Sequence, residues 1–449
     1  MLLAIVSILI FVVAGVYLWR NMRIPWLANP AVWFVINQIL MTGGTLFLLE
    51  TDLFPQDVVY LFAMFSVMIF FIMGTGMAKA MSSCSSELIE RWGTLPVKIE
   101  SGTNFNIMLI IIIFLSLTIS FLYFYTVGYN LFLLGIYSIM SGQDLIEDPA
   151  TMRLYSYATD VYFAPGYVNQ FKNNLLPLSV CYMALRSVLL GRHRGLVVAV
   201  LLSPVVIILL LGTGQRGAFV IATICFIIFL LTAFPRMKRR YIILPGVLFV
   251  ILFMVSSLII GRGSSELKDA SDLLLLFEEL FNRVLQGNQH AGLAGFRYFY
   301  AMPTAWGAEW LAEVRQMIPG LKDPNYIATS GIIFEILFGS MRGTSPLTLV
   351  GSLWLNFHII GVTLMPLLLG ILYQTVYHHL VMGPKTLFRL LIFSAIAGVL
   401  GIWSVGGIAN LLLNGLAAIV LFYILGEWAL RMDEKMRMYN IITAIKHDY

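Results

Sequence analysis

Long apolar runs separated by short polar interruptions run through almost the whole of this chain. A helix needs about 20 apolar residues to cross a bilayer. Eleven intervals approach or exceed that length: residues 2–19, 29–49, 58–78, 105–127, 174–191, 195–213, 216–235, 241–260, 347–376, 386–404 and 408–429. The pattern predicts an all-α fold, a polytopic helical bundle of about 11 transmembrane helices forming one transmembrane domain over residues 1–449. Two stretches are left as sizeable loops, 128–173 and 261–346. Only 11% of residues are charged, against about 25% in a soluble protein. The first run follows no basic residues and ends in no small-residue cleavage site, so it is expected to stay as a span. Cys84, Cys181 and Cys225 follow no paired spacing, which predicts neither a disulfide framework nor a metal site.

Charge then orients the bundle. Arg20 and Arg23, the 79–104 connection, GRHRG at 191–195, RMKRR at 236–240, Lys385 and RMDEKMR at 431–437 fall on alternate connections. Basic residues stay on the cytoplasmic side of a membrane, which predicts an outer N-terminus and a cytoplasmic C-terminus. On that arrangement 18 of the 28 Lys and Arg lie inside, whereas 16 of the 23 Asp and Glu lie outside. The net charge of +5 is therefore a signature of membrane sidedness and not of nucleic-acid binding.

Both large loops fall on the outer side. The first, 128–173, is rich in tyrosine. The second opens with an amphipathic pattern over 267–286, where Ala270, Leu273, Leu274, Phe277, Leu280, Phe281 and Val284 form one apolar face. That helix is expected to lie at the interface or against the bundle. FRYFYAMPTAWGAEWL at 296–311 carries the aromatic density of a lipid–water boundary.

Outer-face arginines are the exceptions that call for chemistry. Arg216, in LLLGTGQRGAFVIA, is predicted in the first turn of an inward-running span. A positive helix end, flanking glycines and a guanidinium together make an anion site; the competing role is an arginine that snorkels to headgroups or braces the hairpin. Arg342 repeats the arrangement before Ser345-Pro346, a capping pair for the next inward-running helix. Two such sites on one face suit a diphosphate, which arginine binds bidentately. Arg262 and Arg297 are candidate helpers, with membrane anchoring as the alternative for each. Arg153, Tyr155 and Tyr157 suit either sugar stacking or the headgroup layer. For a general base the outer face offers Glu335, alone among apolar residues, and His290. The chain contains no HExxH, nucleotide-binding P-loop or GxSxG motif, so zinc and ATP chemistry are not expected.

The GQRG turn at 214–217, the large late outer loop, and GTSPLTLVGSLWLNFHIIGVTLMPLLLGILY at 343–373 resemble the Wzy-type O-antigen polymerases, in the superfamily shared with O-antigen ligases. The resemblance extends over most of the chain in architecture and over 212–219 and 331–373 in motif. Where many relatives carry an acid and a glycine in a "GE…NFG" pattern, this chain has Ser352 and His358. The resemblance implies a multi-pass protein of the bacterial inner membrane, active at the periplasmic face. Its reaction would be a glycosyl transfer joining undecaprenyl diphosphate-linked oligosaccharide repeat units in lipopolysaccharide or related polysaccharide biosynthesis. No cofactor is implied, since the lipid diphosphate is the leaving group; membrane lipids and a chain-length regulator protein are the implied partners. In that setting Arg216 and Arg342 would bind the diphosphate, with Arg262 and Arg297 assisting, and Glu335 or His290 would act as base. The alternatives are an O-antigen ligase, using the same donor, and a transporter or flippase of lipid-linked oligosaccharide.

Overall fold

The computed structural model describes residues 2–21, 25–142, 167–214, 217–234, 283–318, 325–340, 343–403 and 406–447, with short pieces between them. Its main helices are α1 (Leu2–Asn21), α2 (Pro30–Leu46), α3 (Gln56–Met81), α4 (Ser86–Thr94), α5 (Thr103–Val127), α6 (Leu131–Ser141), α7 (Leu176–Leu189), α8 (His193–Leu211), α9 (Gly217–Ala233), α10 (Asn288–Phe299), α11 (Ala308–Met317), α12 (Thr329–Phe338), α13 (Leu349–Met382), α14 (Leu387–Ile402) and α15 (Ala417–His447). No strand occurs among the described residues. The protein is all-helical, and α3, α5, α8, α13 and the 414–439 part of the last helix are long and apolar enough to cross a membrane. Helices cover every apolar interval read from the sequence except 241–260, most of which lies outside the described residues, as does nearly all of the predicted 267–286 helix.

Local chemistry sets many boundaries. Asn29 caps α2 by accepting from Ala31 N at 2.9 Å, with Pro30 in the first helical position. Asn130 does the same for α6 through Phe132 N and Leu133 N, both at 3.1 Å. Turns of π-helix, Gln170–Leu175 and Leu412–Leu416, precede α7 and α15.

The chain divides into two compact units. The first contains residues 1–93, 261–382 and 397–412, and its centre is the α3–α13 pair. These helices touch backbone to backbone. A Cβ on Gly74 would stand 2.0 Å from Leu367 O, and one on Gly370 would stand 2.1 Å from Phe71 O. Close approach at small residues is how helices pack well where lipid removes the hydrophobic drive. Phe34, Phe71 and Tyr373 fill the space beside the contact.

The second unit contains 94–260, 383–396 and 413–449. Here α5 lacks a cap of its own, because Gly102 precedes it. Asp433 of α15 supplies one from a distance, accepting from Asn104 N at 3.0 Å and Phe105 N at 3.1 Å. Only glycine fits at 102, where a Cβ would lie 1.8 Å from Asp433 Oδ2. Buried Glu100 likewise accepts from Phe388 N at 2.9 Å and from the Tyr182 hydroxyl at 3.2 Å.

Candidate functional site

The site in the first unit begins with a break. Inside α13, His358 has φ 47 and ψ −129, a backbone conformation that suits glycine. The break interrupts the helical bonds that the carbonyls of Leu355 and Asn356 would otherwise accept. Both find other donors: Ala305 N bonds Leu355 O at 3.0 Å and Trp306 N bonds Asn356 O at 2.8 Å. The 305–306 segment is thereby fastened along α13, and Gly307, at φ 81, turns the chain into α11. His358 stacks on Trp354 with ring centroids 5.3 Å apart, and its Nε2 lies 3.2 Å from Met302 O.

So placed, α11 presents Glu309 and Glu313 four residues apart on one helical face. Fully buried Asn356 donates from Nδ2 to Glu309 Oε2 at 2.8 Å and to Ser352 O at 2.9 Å. Between the two acids, Trp310 Nε1 donates to Ser352 Oγ at 2.8 Å and its ring meets Phe357 edge-on. Thr329, Ser352 and Glu313 are the other polar neighbours that act on Glu309. Gly407 backs the pair, since a Cβ there would lie 2.6 Å from Glu313 Oε2. That oxygen, Asn356 Oδ1 and the Tyr326 hydroxyl are all buried without a hydrogen-bond partner.

The electrostatics follow from this crowding. Burial raises the pKa of Glu309, offset in part by its hydrogen bonds. Burial, and then repulsion from Glu309, push Glu313 up to about 8. The Tyr326 phenol is raised by burial and by both carboxylates. Glu313 therefore keeps its proton into the neutral range, beside a second carboxyl whose own basicity is raised. Such a pair can accept a proton at one oxygen while donating from the other.

A second network lies in the same unit. Arg297 of α10 grips Asp57 in the first turn of α3, through Nε to Oδ1 at 2.8 Å and Nη2 to Oδ2 at 2.7 Å. Asp57 Oδ2 also accepts from Glu50 N at 2.8 Å, while Glu50 Oε2 receives Arg297 Nη1 at 3.3 Å. Phe54 lies 3.8 Å beneath the guanidinium carbon. The Asp57 hydrogen bonds, ahead of a burial effect that opposes them, raise the pKa of Arg297 further. A run of rings, Tyr60, Phe296, Trp354 and His358, with successive centroids 4.8, 5.3 and 5.3 Å apart, links α3 and α10 to the break in α13.

Of the residues singled out in the sequence, Arg216, Arg342, Arg262, Arg153 and Tyr157 lie outside the described residues. Arg297 is engaged by Asp57 and Glu50. Glu335, on α12, and His290, in the first turn of α10, are both exposed. Tyr155 is 50% exposed, near Tyr129 in the second unit. The carboxylate pair itself is not among the residues singled out in the sequence. The signal was present in AEWLAEVRQM, two acids at helical spacing inside an aromatic-rich stretch. Among the described residues, no group of three or more His, Cys, Asp or Glu could hold a metal ion.

No family model, curated protein or solved structure matches this chain.

Proposed function

We propose that this protein is a membrane glycosyltransferase that extends an oligosaccharide carried on undecaprenyl diphosphate. It works at the outer, periplasmic face of the bacterial inner membrane. The observation that carries the reading is the half-buried Glu309–Glu313 pair, packed beside Ser352 and Asn356 of the segment that resembles the O-antigen polymerases. Ser352 stands where many of those relatives carry an acid, and Glu309 brings a carboxylate to the same place from α11. His358 stands where they carry glycine, and its backbone has the positive φ that glycine favours.

In this reaction the acceptor sugar hydroxyl attacks the anomeric carbon of the donor. The new C–O bond forms as the bond to the diphosphate breaks, and the diphosphate leaves with the electron pair. Glu309 takes the hydroxyl proton, its basicity raised by burial. Glu313, holding its own proton, hydrogen-bonds to Glu309 and limits the build-up of charge. We place the base here and not on Glu335 or His290, whose exposed side chains have ordinary solvation. Arg216, Arg342 and Arg262 are assigned to the leaving diphosphate; Arg297, held by Asp57, positions α10.

A transporter of lipid-linked oligosaccharide is the second reading, favoured by the broken helix at His358. Reconstitution with a lipid diphosphate-linked repeat unit separates the two. A polymerase yields a ladder of longer products, lost in Glu309→Gln and Arg216→Lys at normal protein levels. Movement of labelled lipid across the vesicle without elongation overturns the enzyme assignment. A ligase is distinguished in a deletion strain: core lipopolysaccharide with no repeats marks a ligase, and core with a single repeat marks a polymerase.

A further inference from the structure

The turn between α7 and α8 closes on its own backbone. Gly191, at φ 64, donates its N–H to Val188 O at 3.2 Å, and Arg192 N–H reaches Ser187 O at 2.8 Å. The last carbonyls of α7 are thus satisfied through a left-handed glycine. Ser187 and Gly195 bring the two helices into close contact, since a Cβ on Gly195 would stand 2.2 Å from Ser187 Oγ.

A cavity of about 600 Å³ opens beside this turn. Its wall is almost wholly apolar, made by Leu109, Met183 and Leu190 together with the stems of Arg186, Arg192 and Arg194, so that three cationic side chains border an apolar space. Arg186 is oriented by a hydrogen bond to Asn106 Oδ1, while its Nε is buried with no partner. None of the three guanidiniums pairs with a carboxylate among the described residues. The first N–H groups of α8 carry no side-chain cap.

Three arginines bordering one cavity, none paired with a carboxylate among the described residues, repel one another, and an anion at its edge relieves that repulsion. A small soluble anion would leave the apolar wall in contact with water. The ligand that satisfies both the wall and its cationic edge has a negatively charged headgroup and an acyl chain. The position agrees, because the turn ends two apolar helices and α8 is long enough to span a membrane. Basic pockets at the ends of membrane helices recognise such lipids.

We propose that the α7–α8 cavity is a binding site for an acidic phospholipid. The phosphate lies among Arg186, Arg192 and Arg194, with one acyl chain along Leu109, Met183 and Leu190. The site is separate from the carboxylate pair and lies wholly within the second unit.

The test uses the full-length protein, delipidated in detergent and titrated with phosphatidylglycerol or phosphatidylcholine. Bound lipid is read by native mass spectrometry and the unfolding midpoint by a thermal shift. Phosphatidylglycerol is expected to bind and raise the midpoint, with phosphatidylcholine doing neither. Arg192→Gln/Arg194→Gln, which alters only exposed side chains, should weaken phosphatidylglycerol binding about 30-fold, given what each cation contributes near an anionic lipid. Leu190→Asn should weaken it through the apolar wall with the charge unchanged. Equal binding of the two lipids, or an unchanged affinity in the double variant, overturns the proposal. So does a midpoint rise of the same size from inorganic phosphate, which would make this a site for soluble anions.

Discussion

Asn356 of α13 donates to Glu309 of α11 at 2.8 Å, across 47 positions of sequence, and the same Nδ2 also reaches the carbonyl of Ser352. One amide thereby ties that carboxyl group to the helix just before its break. Its own Oδ1 has no partner, so the side chain serves Glu309 and not its own solvation. Asn356→Leu is expected to destabilise the protein by about 2 kcal/mol, since that carboxyl group loses a donor. Asn356→Asp should be at least as damaging, by placing a third carboxyl in the cluster. Unfolding midpoints in detergent check both; an unchanged midpoint in Asn356→Leu contradicts the bond.

Glu313 makes stability fall with rising pH. Its pKa is raised by burial and by Glu309 to about 8, so the folded state binds more protons than the unfolded chain between roughly pH 4.5 and 8. The stabilisation is complete below the unfolded value and is lost as pH rises through the folded one. Glu313→Gln, which mimics the protonated form, should match the wild type at pH 5. At pH 9 it should exceed the wild type by about 1 kcal/mol, a figure kept small because the carboxylate is partly open to solvent. Midpoints measured across that range decide it, and a constant offset at all pH values would contradict the assignment. If the pair is the catalytic acid–base couple, the alkaline limb of the rate profile near pH 8 should also vanish in this variant.

The Arg297–Asp57 bridge predicts strong non-additivity. Arg297→Met leaves Asp57 as a buried, unpaired charge, which costs about 3–5 kcal/mol. Asp57→Asn should cost less, because Arg297 is part-exposed and keeps Glu50. The double variant should lose less than the sum by about 2 kcal/mol or more. Additive losses would mean that Arg297 draws its stabilisation elsewhere.

His358 predicts a reversal of the usual effect of glycine in a helix. Its φ of 47 is unfavourable for any side chain with a Cβ. His358→Gly should be more stable than His358→Ala by about 1–3 kcal/mol, because both lose the Trp354 stack and only glycine relieves the backbone. Equal midpoints for the two variants would show that the break carries no strain.

Much of the architecture could be read directly from the chain. The apolar intervals are local features, and their spacing placed nearly every described long helix. The candidate site was less legible. Glu335 looked isolated because its neighbours in sequence are apolar, yet it sits exposed on α12. Glu309 and Glu313 follow an aromatic stretch with nothing in their neighbourhood to mark what they meet, yet they lie beside α13. Hydrophobic spacing reports which face of a helix meets apolar surroundings; it does not report which polar groups another segment brings alongside.

The sequence alone determined that this is an all-helical protein with the length and hydropathy to cross a membrane, because each such helix satisfies its own backbone and needs only its own residues. Tertiary structure decided which polar groups meet. A histidine in a glycine-like conformation opens α13, the carbonyls of Leu355 and Asn356 bond residues 305 and 306, and the helix that follows carries its two carboxylates beside α13. Arg297, open to several roles in sequence, bonds an aspartate 240 residues earlier. These pairings join distant segments, and the energies that hold them exist only once the helices have packed.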